Sequence, residues 1–220
     1  MKKLFISLII MFALFGCKPD NHVKFETPQP ESVKEIDHFR PLRRGVYVNY
    51  KTPKKKIEIK KKLITTSTLF QFTVDRNTVE ISKLSDVDRQ NDSSLIAYFE
   101  KLGGDVIIEG DDIHYSQTLV DTIFLINETH ILKHYKRSYY LNIPADDSLW
   151  TVYRMKFHGD TLLYGEITPS DTLLKYDYTK IDSSITKSKA KAYILNPDKK
   201  ELRKLMRSNA FKFTEKYIKE

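Results

Sequence analysis

The feature that most constrains the fold of this chain is a series of short runs in which apolar and polar residues alternate. The run at 69–74 places Phe70, Phe72 and Val74 on one face, and a turn-like Asp-Arg-Asn triplet follows it. Alternation with a period of two predicts β-strands, because successive side chains of a strand point to opposite faces of a sheet. This pattern predicts a hairpin between 69–74 and 78–84.

Runs of the same kind recur along the chain, with turn residues between them. They suggest hairpins of 106–109 with 113–116, 122–126 with 129–135, and 150–157 with 161–167, and one more run covers 139–143. Closely spaced turns are typical of an antiparallel meander. The sequence therefore predicts a mainly β fold of the α+β class, with the meander forming a curved sheet or a partly closed barrel and two short helices beside it.

Two segments show helical rather than strand spacing. Residues 92–102 carry apolar side chains three and four apart, with Asp92 or Ser93 as the capping residue. Near the C-terminus, Asn196 caps a second helix and Pro197 occupies its first position. The apolar stripe of that second helix consists of Leu202, Leu205 and Met206. The aromatic residues after it predict a closing strand or a further short helix.

The N-terminus has the order of a secretory signal. Lys2 and Lys3 precede residues 4–15, which form a run of twelve with Ser7 as its single polar residue. A membrane-spanning helix needs about 20 apolar residues, so this run is too short to cross a bilayer. A short basic segment followed by an apolar run predicts a targeting segment that is removed from the mature protein.

The end of this signal, Leu14-Phe15-Gly16-Cys17, resembles the lipobox of bacterial lipoproteins. The resemblance covers residues 1–17 only, and it implies cleavage between Gly16 and Cys17 with acyl chains such as palmitate on Cys17. Cys17 is also the sole cysteine of the chain, so lipidation would leave an exported protein without a free thiol. The alternative is an ordinary signal peptide with a chance cysteine at this position.

The lipobox resemblance also implies where the protein is located. Two acyl chains hold a protein stably at a membrane, and Lys18 after the cysteine favours the outer membrane, facing the periplasm. The predicted organisation is then a signal peptide at 1–16, a lipidated cysteine with a flexible, proline-broken tether at 17–40, and one mainly β domain with a C-terminal helix at 41–220. An exported protein meets little nucleic acid, so no nucleic-acid partner is expected.

The strongest charge feature is the run Lys54-Lys55-Lys56-Ile57-Glu58-Ile59-Lys60-Lys61-Lys62 in a chain whose formal net charge is +8. Its alternation predicts a strand with both isoleucines facing the core. One hypothesis is that the lysines contact lipid phosphates or an anionic ligand. The favoured hypothesis is an edge strand whose lysines prevent edge-to-edge pairing with other chains.

The residues that carry chemistry give no convincing site. His130 and His134 are four residues apart, which on a strand is about 13 Å and too far for one metal ion. His114 with the neighbouring Asp111 and Asp112 would need cross-strand contacts that the sequence does not predict. The other acidic pairs, at 86 and 88 and at 146 and 147, fall in predicted loops. We therefore expect no metal, no cofactor and no catalytic residue, and hence not an enzyme.

Two functions remain compatible with these features. The first is a lipid-anchored cell-envelope lipoprotein that acts as an accessory or interaction module, with an envelope protein as a possible partner. The alternative is a lipocalin-like carrier or sensor that binds an apolar or anionic small ligand inside the barrel. Trp150 would distinguish them, because it either lines a cavity for the ligand or packs in a filled core beneath a helix.

Overall fold

The computed structural model describes residues 22–77, 91–145, 148–168, 173, 175, 176, 179–182, 192–208 and 210–220. Strands dominate this part of the chain, which confirms the mainly β prediction. The strands are β1 (His22–Phe25), β2 (Gly45–Asn49), β3 (Lys55–Ile59), β4 (Leu63–Asp75), β5 (Asp105–Glu109), β6 (Asp112–Leu125), β7 (Ile131–Tyr135), β8 (Ser138–Pro144), β9 (Trp150–His158), β10 (Thr161–Ile167), β11 (Thr179–Asp182), β12 (Ala192–Leu195) and β13 (Phe211–Lys219). The described α-helices are α1 (Asp92–Lys101) and α2 (Lys199–Arg207).

The chain folds into two compact units, where the sequence predicts one domain at 41–220. The described residues of the first unit fall within 1–38, 126–158 and 163–215, and those of the second fall within 39–125, 159–162 and 216–220. Each unit has its own cluster of buried apolar residues. The described residues therefore form at least two such clusters, one in each unit, where the length of the chain suggests a single core.

In the second unit, antiparallel strands follow the order β2, β3, β4, β6, β5, and the C-terminal end of β13 pairs with β2. One face of β4, β5 and β6 is covered by α1, whose Leu95 and Phe99 pack against Ile113 and Tyr115. Alternation places every second residue of these strands on that face. The opposite face of the three strands is not covered by α1.

In the first unit, β9 is flanked by β8 on one edge and by β1 and β10 on the other. The order continues from β1 to β12 and β11, and β1 and β12 run parallel. Helix α2 places Leu202 and Leu205 in a core that includes Phe25 and Leu195. The pairing is therefore mixed, and the strand order in each unit is open rather than closed into a barrel.

Local patterns predicted many elements correctly. The hairpins 106–109 with 113–116 and 150–157 with 161–167 are confirmed as β5 with β6 and β9 with β10. The hairpin of 122–126 with 129–135 is wrong, because β7 pairs with β8. The predicted partner of 69–74, at 78–84, lies outside the described residues, and β4 pairs instead with β3 and β6.

Both helices form where predicted, but their capping residues differ from the prediction. Asn91 caps α1 by accepting hydrogen bonds from the backbone N–H groups of Ser93 and Ser94. Asp198 caps α2, and Glu201 completes the capping box by accepting from the Asp198 backbone N–H. The segment after α2 is strand β13. Neither described helix is long and apolar enough to span a membrane.

The flexible tether predicted for 17–40 is corrected over the part that the structure describes. Residues 22–25 form β1, and Phe25 and Gln29 are completely buried in the first unit. The charged and proline-rich composition of this segment suggested a solvated linker. The sequence did not reveal that its backbone groups find buried polar partners on β7 and β8.

Those partners are Asn142 and Lys133. Asn142 accepts a hydrogen bond from the Gln29 backbone N–H at 2.6 Å and donates from Nδ2 to the Gln29 carbonyl at 2.9 Å. Lys133 Nζ donates to the carbonyls of Pro28 at 2.9 Å and Pro30 at 3.2 Å. Burial lowers the pKa of the Lys133 ammonium, and two nearby carboxylates oppose this effect. Together these two side chains hold residues 28–30 against the first unit.

Replacing Asn142 with alanine tests this attachment. The substitution leaves two buried backbone groups of Gln29 without partners, at about 1–3 kcal/mol each, so we expect Asn142→Ala to lower the free energy of unfolding by about 2–4 kcal/mol. Denaturant titration measures the change. Asn77→Ala, at an exposed asparagine, is the control and should change it by less than about 0.5 kcal/mol. Equal effects of the two variants would show that Asn142 does not hold this segment.

Candidate functional site

The lysine-rich strand is not at an edge. β3 pairs with β2 on one side and with β4 on the other, so the prediction of a lysine-guarded edge strand is wrong. The prediction that Ile57 and Ile59 face the core is confirmed, since both are buried. The edge interpretation failed because the sequence pattern predicted neither a strand at 45–49 nor the extension of the 69–74 strand back to Leu63, and these two segments pair with β3.

The six lysines of this run do not form one surface. Lys54, Lys55 and Lys56 lie at or just before the start of β3, and Lys60, Lys61 and Lys62 follow its end, so the centres of the two triplets are six residues apart, about 20 Å along an extended strand. Carboxylates also neutralise part of this charge. Lys56 Nζ is 2.6 Å from Glu220 Oε1, and Lys60 Nζ is 3.2 Å from Glu58 Oε2.

Trp150 opens β9, is half-buried, and packs against the core of the first unit. Its neighbour Val152 on the same face is buried, and on the opposite face Met155 and Phe157 are buried as well. Both faces of β9 are therefore covered, as the apolar character of both faces predicted. Trp150 contributes to a packed core in this structure.

A cleft of about 500 Å³ lies on the second unit, on the face of β4, β5 and β6 that α1 leaves uncovered. The strand register aligns two rows of residues across this face. One row contains Thr73, His114 and Ile107, and the other contains Gln71, Ser116 and Asp105. The lining is completed by Lys54, just before β3, and by the paired residues Phe72 and Tyr115 between the two rows. Sequence alternation indicated such a face but not the pairing of β4 with β6.

The lining of this cleft is mainly polar. Thr73 Oγ1 and His114 Nδ1 are hydrogen-bonded at 2.9 Å, and His114 Nε2 lies 3.7 Å from Glu109 Oε2. Lys54 supplies a cation and Asp105 an anion, while Ile107 and Phe72 are exposed apolar residues of the lining. Such a set of donors and acceptors suits a small polar ligand rather than an apolar one.

The histidines considered as metal ligands are not brought together. His130 hydrogen-bonds to Asn127 through the loop before β7, and the His134 ring lies 4.7 Å from the Tyr139 ring centroid. Across the part of the chain that the structure describes, no group of three or more His, Cys, Asp or Glu residues has the geometry for a metal ion. The acidic pairs at 86 and 88 and at 146 and 147 lie outside that part, as do Gly16 and Cys17.

A second candidate site lies on the outer side of α2, in the first unit. Its buried side consists of Leu202 and Leu205, and its basic residues fall on the remaining face of the helix. The turn between β7 and β8 adds two more basic residues directly after Tyr135, whose ring lies close to Lys199 and Arg203. We define the α2 surface as Lys136, Arg137, Lys199, Lys200, Arg203, Lys204 and Arg207. The sequence prediction used only the apolar stripe of α2 and missed this basic face.

Tyr135, the last residue of β7, connects the turn to the helix. Its ring centroid lies 5.2 Å from Lys199 Nζ, 5.4 Å from Arg203 Cζ and 5.8 Å from Lys136 Nζ. Arg203 also donates a hydrogen bond from Nε to the Tyr135 hydroxyl. Three cations are thus gathered around one aromatic ring, which attracts each of them by about 0.5–2 kcal/mol.

The core beneath α2 contains two side chains with polar groups, Tyr140 and Arg154, and both lie against aromatic rings. The Tyr140 hydroxyl donates to Met206 Sδ on the inner side of the helix. Burial raises the pKa of Tyr140 to about 12, and the cation of Arg154 opposes this effect. Arg154 lies over the rings of Phe211 and Phe213 at 5.7 and 5.2 Å, and burial lowers its pKa. The inner face of α2 is therefore the side that fixes the helix to the core.

Comparison with protein families, with curated proteins and with solved structures finds no match to this chain. The function is therefore inferred from its own residues and their arrangement.

The buried Tyr140 predicts how stability depends on pH. Its pKa is higher in the folded chain than in the unfolded chain, where it is near 10, so folding favours the neutral phenol. This contribution is complete below pH 10 and is lost as the pH rises to about 12, by about 2–3 kcal/mol. We expect the free energy of unfolding to fall over this interval, and that of Tyr140→Phe to fall less steeply. The exposed Tyr50→Phe variant should follow the wild type; an identical Tyr140→Phe profile would contradict the assignment.

Proposed function

We propose that this chain is a lipid-anchored cell-envelope protein that acts as an accessory or interaction module, at the outer membrane and facing the periplasm. The observation that carries the proposal is the sequence Leu14-Phe15-Gly16-Cys17 at the end of a signal-like segment, with Cys17 as the sole thiol. This function requires a folded body beside the membrane and a surface that meets a partner there.

The position of β1 supports a folded body beside the membrane, because it leaves a shorter tether than the predicted 17–40. β1 begins at His22, five residues after Cys17, and five residues span at most about 18 Å. The bonds from Asn142 and Lys133 then prevent residues 28–30 from extending the link. A lipid on Cys17 would therefore hold the first unit close to the bilayer instead of at the end of a long, flexible linker.

Substitution of Cys17 tests the anchor. We expect the native protein to carry diacyl or triacyl mass at Cys17, and Cys17→Ala to remain an unprocessed precursor, because the lipid is added to the thiol before cleavage. Intact-mass measurement of protein purified from membranes checks both outcomes. Lys18→Asp is the matched variant: it should keep the lipid but shift the protein towards the inner membrane. An unmodified Cys17 in the native protein would refute the lipoprotein proposal.

A second candidate function is the binding of a small polar ligand in the cleft of the second unit. The lipocalin-like form of this idea requires a closed barrel, and the open strand order of each unit does not provide one. The observation that favours a binding site is the cleft of about 500 Å³ with aligned polar side chains from three strands. The candidate ligand is thus polar or anionic, not apolar.

The cleft can be probed with simple ligands. We expect one of inorganic phosphate, glycine or glucose to shift the backbone amide NMR signals of 71–73, 105–107 and 114–116 saturably. Thr73→Val keeps the shape but loses the hydrogen bond to His114, so it should weaken binding about fivefold. Thr65→Val, on the same strand but outside the cleft lining, is the control. Shifts spread over the whole chain, or no shift with any probe, would exclude this function.

A further inference from the structure

The α2 surface carries an excess of positive charge that the described chain does not neutralise. None of its seven basic side chains forms an ion pair with a carboxylate among the residues that the structure describes. The acidic residues nearest in sequence, Asp198 and Glu201, are used as hydrogen-bond acceptors for the backbone at the start of α2. The surface is therefore open to an external anion.

We propose that the α2 surface docks on the anionic phospholipid headgroups of the membrane that holds the lipid on Cys17. The nearness of that membrane rests on the proposed lipid anchor, whereas the affinity for anionic headgroups rests on the α2 surface itself. Basic residues close to an anionic bilayer each strengthen attachment by about fivefold. Seven of them on one surface supply the second attachment signal that complements a lipid anchor.

The spacing of the cations around Tyr135 favours a surface dense in negative charge. From their distances to the ring centroid, any two of Lys136, Lys199 and Arg203 lie within about 11 Å of each other, close to the ~10 Å Debye length at 0.1 M salt. Their mutual repulsion is therefore only partly screened. Several headgroup phosphates at once relieve it, and Tyr135 is a residue type that is suited to the membrane–water interface.

The packing of α2 decides how it meets the bilayer. Its apolar residues Leu202 and Leu205 are fully buried in the core, so they are not available for insertion among acyl chains. The basic residues Lys200, Lys204 and Arg207 project from the outer side instead. Docking is therefore electrostatic and reversible, unlike that of an amphipathic helix that inserts its apolar face.

The path of the chain makes this geometry attainable. Leu202 and Leu205 belong to the same core cluster as Phe25, which is three strand residues, about 10 Å, from His22. The link of at most about 18 Å from Cys17 to His22 is longer than the 10–12 Å diameter of a helix. The proposed lipid site and α2 are therefore attached to the same core of the first unit.

Vesicle binding by an unlipidated chain tests the proposal. A chain beginning at Lys18 contains every described strand, helix and buried residue, and circular dichroism checks that it folds. We expect it to co-sediment with phosphatidylcholine–phosphatidylglycerol vesicles, but not with pure phosphatidylcholine vesicles, and to be released by salt. The triple variant Lys200→Glu, Lys204→Glu, Arg207→Glu should bind at least tenfold more weakly.

The matched control changes the net charge equally in the second unit. Lys51→Glu, Lys61→Glu, Lys62→Glu should bind nearly as tightly as the wild type, and circular dichroism should show that both variants fold. Lys200→Gln, Lys204→Gln, Arg207→Gln provides a milder form of the test and should fall between the wild type and the glutamate variant. Binding that is intermediate in this way supports docking through α2.

Three outcomes would overturn the proposal: no preference for anionic vesicles, equal losses in the α2 variant and its control, or retention by a soluble acidic polysaccharide without vesicle binding. The last would assign the surface to an acidic polymer. Because the tested chain lacks Cys17, its result is independent of lipidation. Failure of the anchor would instead appear in the intact mass of the native protein.

Discussion

The pair of hydrogen bonds between the Asn142 side chain and the backbone of Gln29 fixes the beginning of the folded chain. Both residues are completely buried, so breaking the pair leaves polar groups in the interior with no water to replace the lost partners. Lys133 adds two further bonds to the neighbouring prolines. This attachment fixes residues 28–30 in the first unit, whose strand β1 begins five residues after Cys17.

The same core determines what α2 can do. The apolar side of α2 packs with Phe25 and Leu195. On the same side, the Tyr140 hydroxyl donates a hydrogen bond to Met206 Sδ. A helix held in this way keeps its basic residues exposed to solvent, whether or not an anion is present. Since the capping box also occupies Glu201, the charge of the outer side remains uncompensated. Packing of the inner face of α2 and capping of its first turn thus leave the basic residues of its outer face without carboxylate partners.

Much of the fold was predictable because the signals are local. The alternation in β5, β9 and β10 and the apolar spacing in α1 and α2 each depend on a dozen residues or fewer. The burial of residues such as Phe25 and Gln29 was not predictable, because Gln29 finds Asn142 from 113 positions away. Both Gln29 and Asn142 are residue types usually found at the surface. The burial of a polar segment can be predicted only when its hydrogen-bond partners are known, and composition does not identify those partners.

The candidate sites show the same limit for charge. The lysine run at β3 suggested contact with anions as the less favoured of two hypotheses, but Lys56 pairs with Glu220 from the far end of the chain, and the two lysine triplets lie apart. The α2 surface has a weaker sequence signal, yet Tyr135 joins its helix to a turn that lies more than sixty residues earlier. Density of basic residues along a sequence therefore predicts where charge is abundant. Whether that charge is free to bind an anion depends on which carboxylates the fold brings close to it. Here carboxylates neutralise part of the lysine run at β3, whereas the α2 surface forms no ion pair among the described residues.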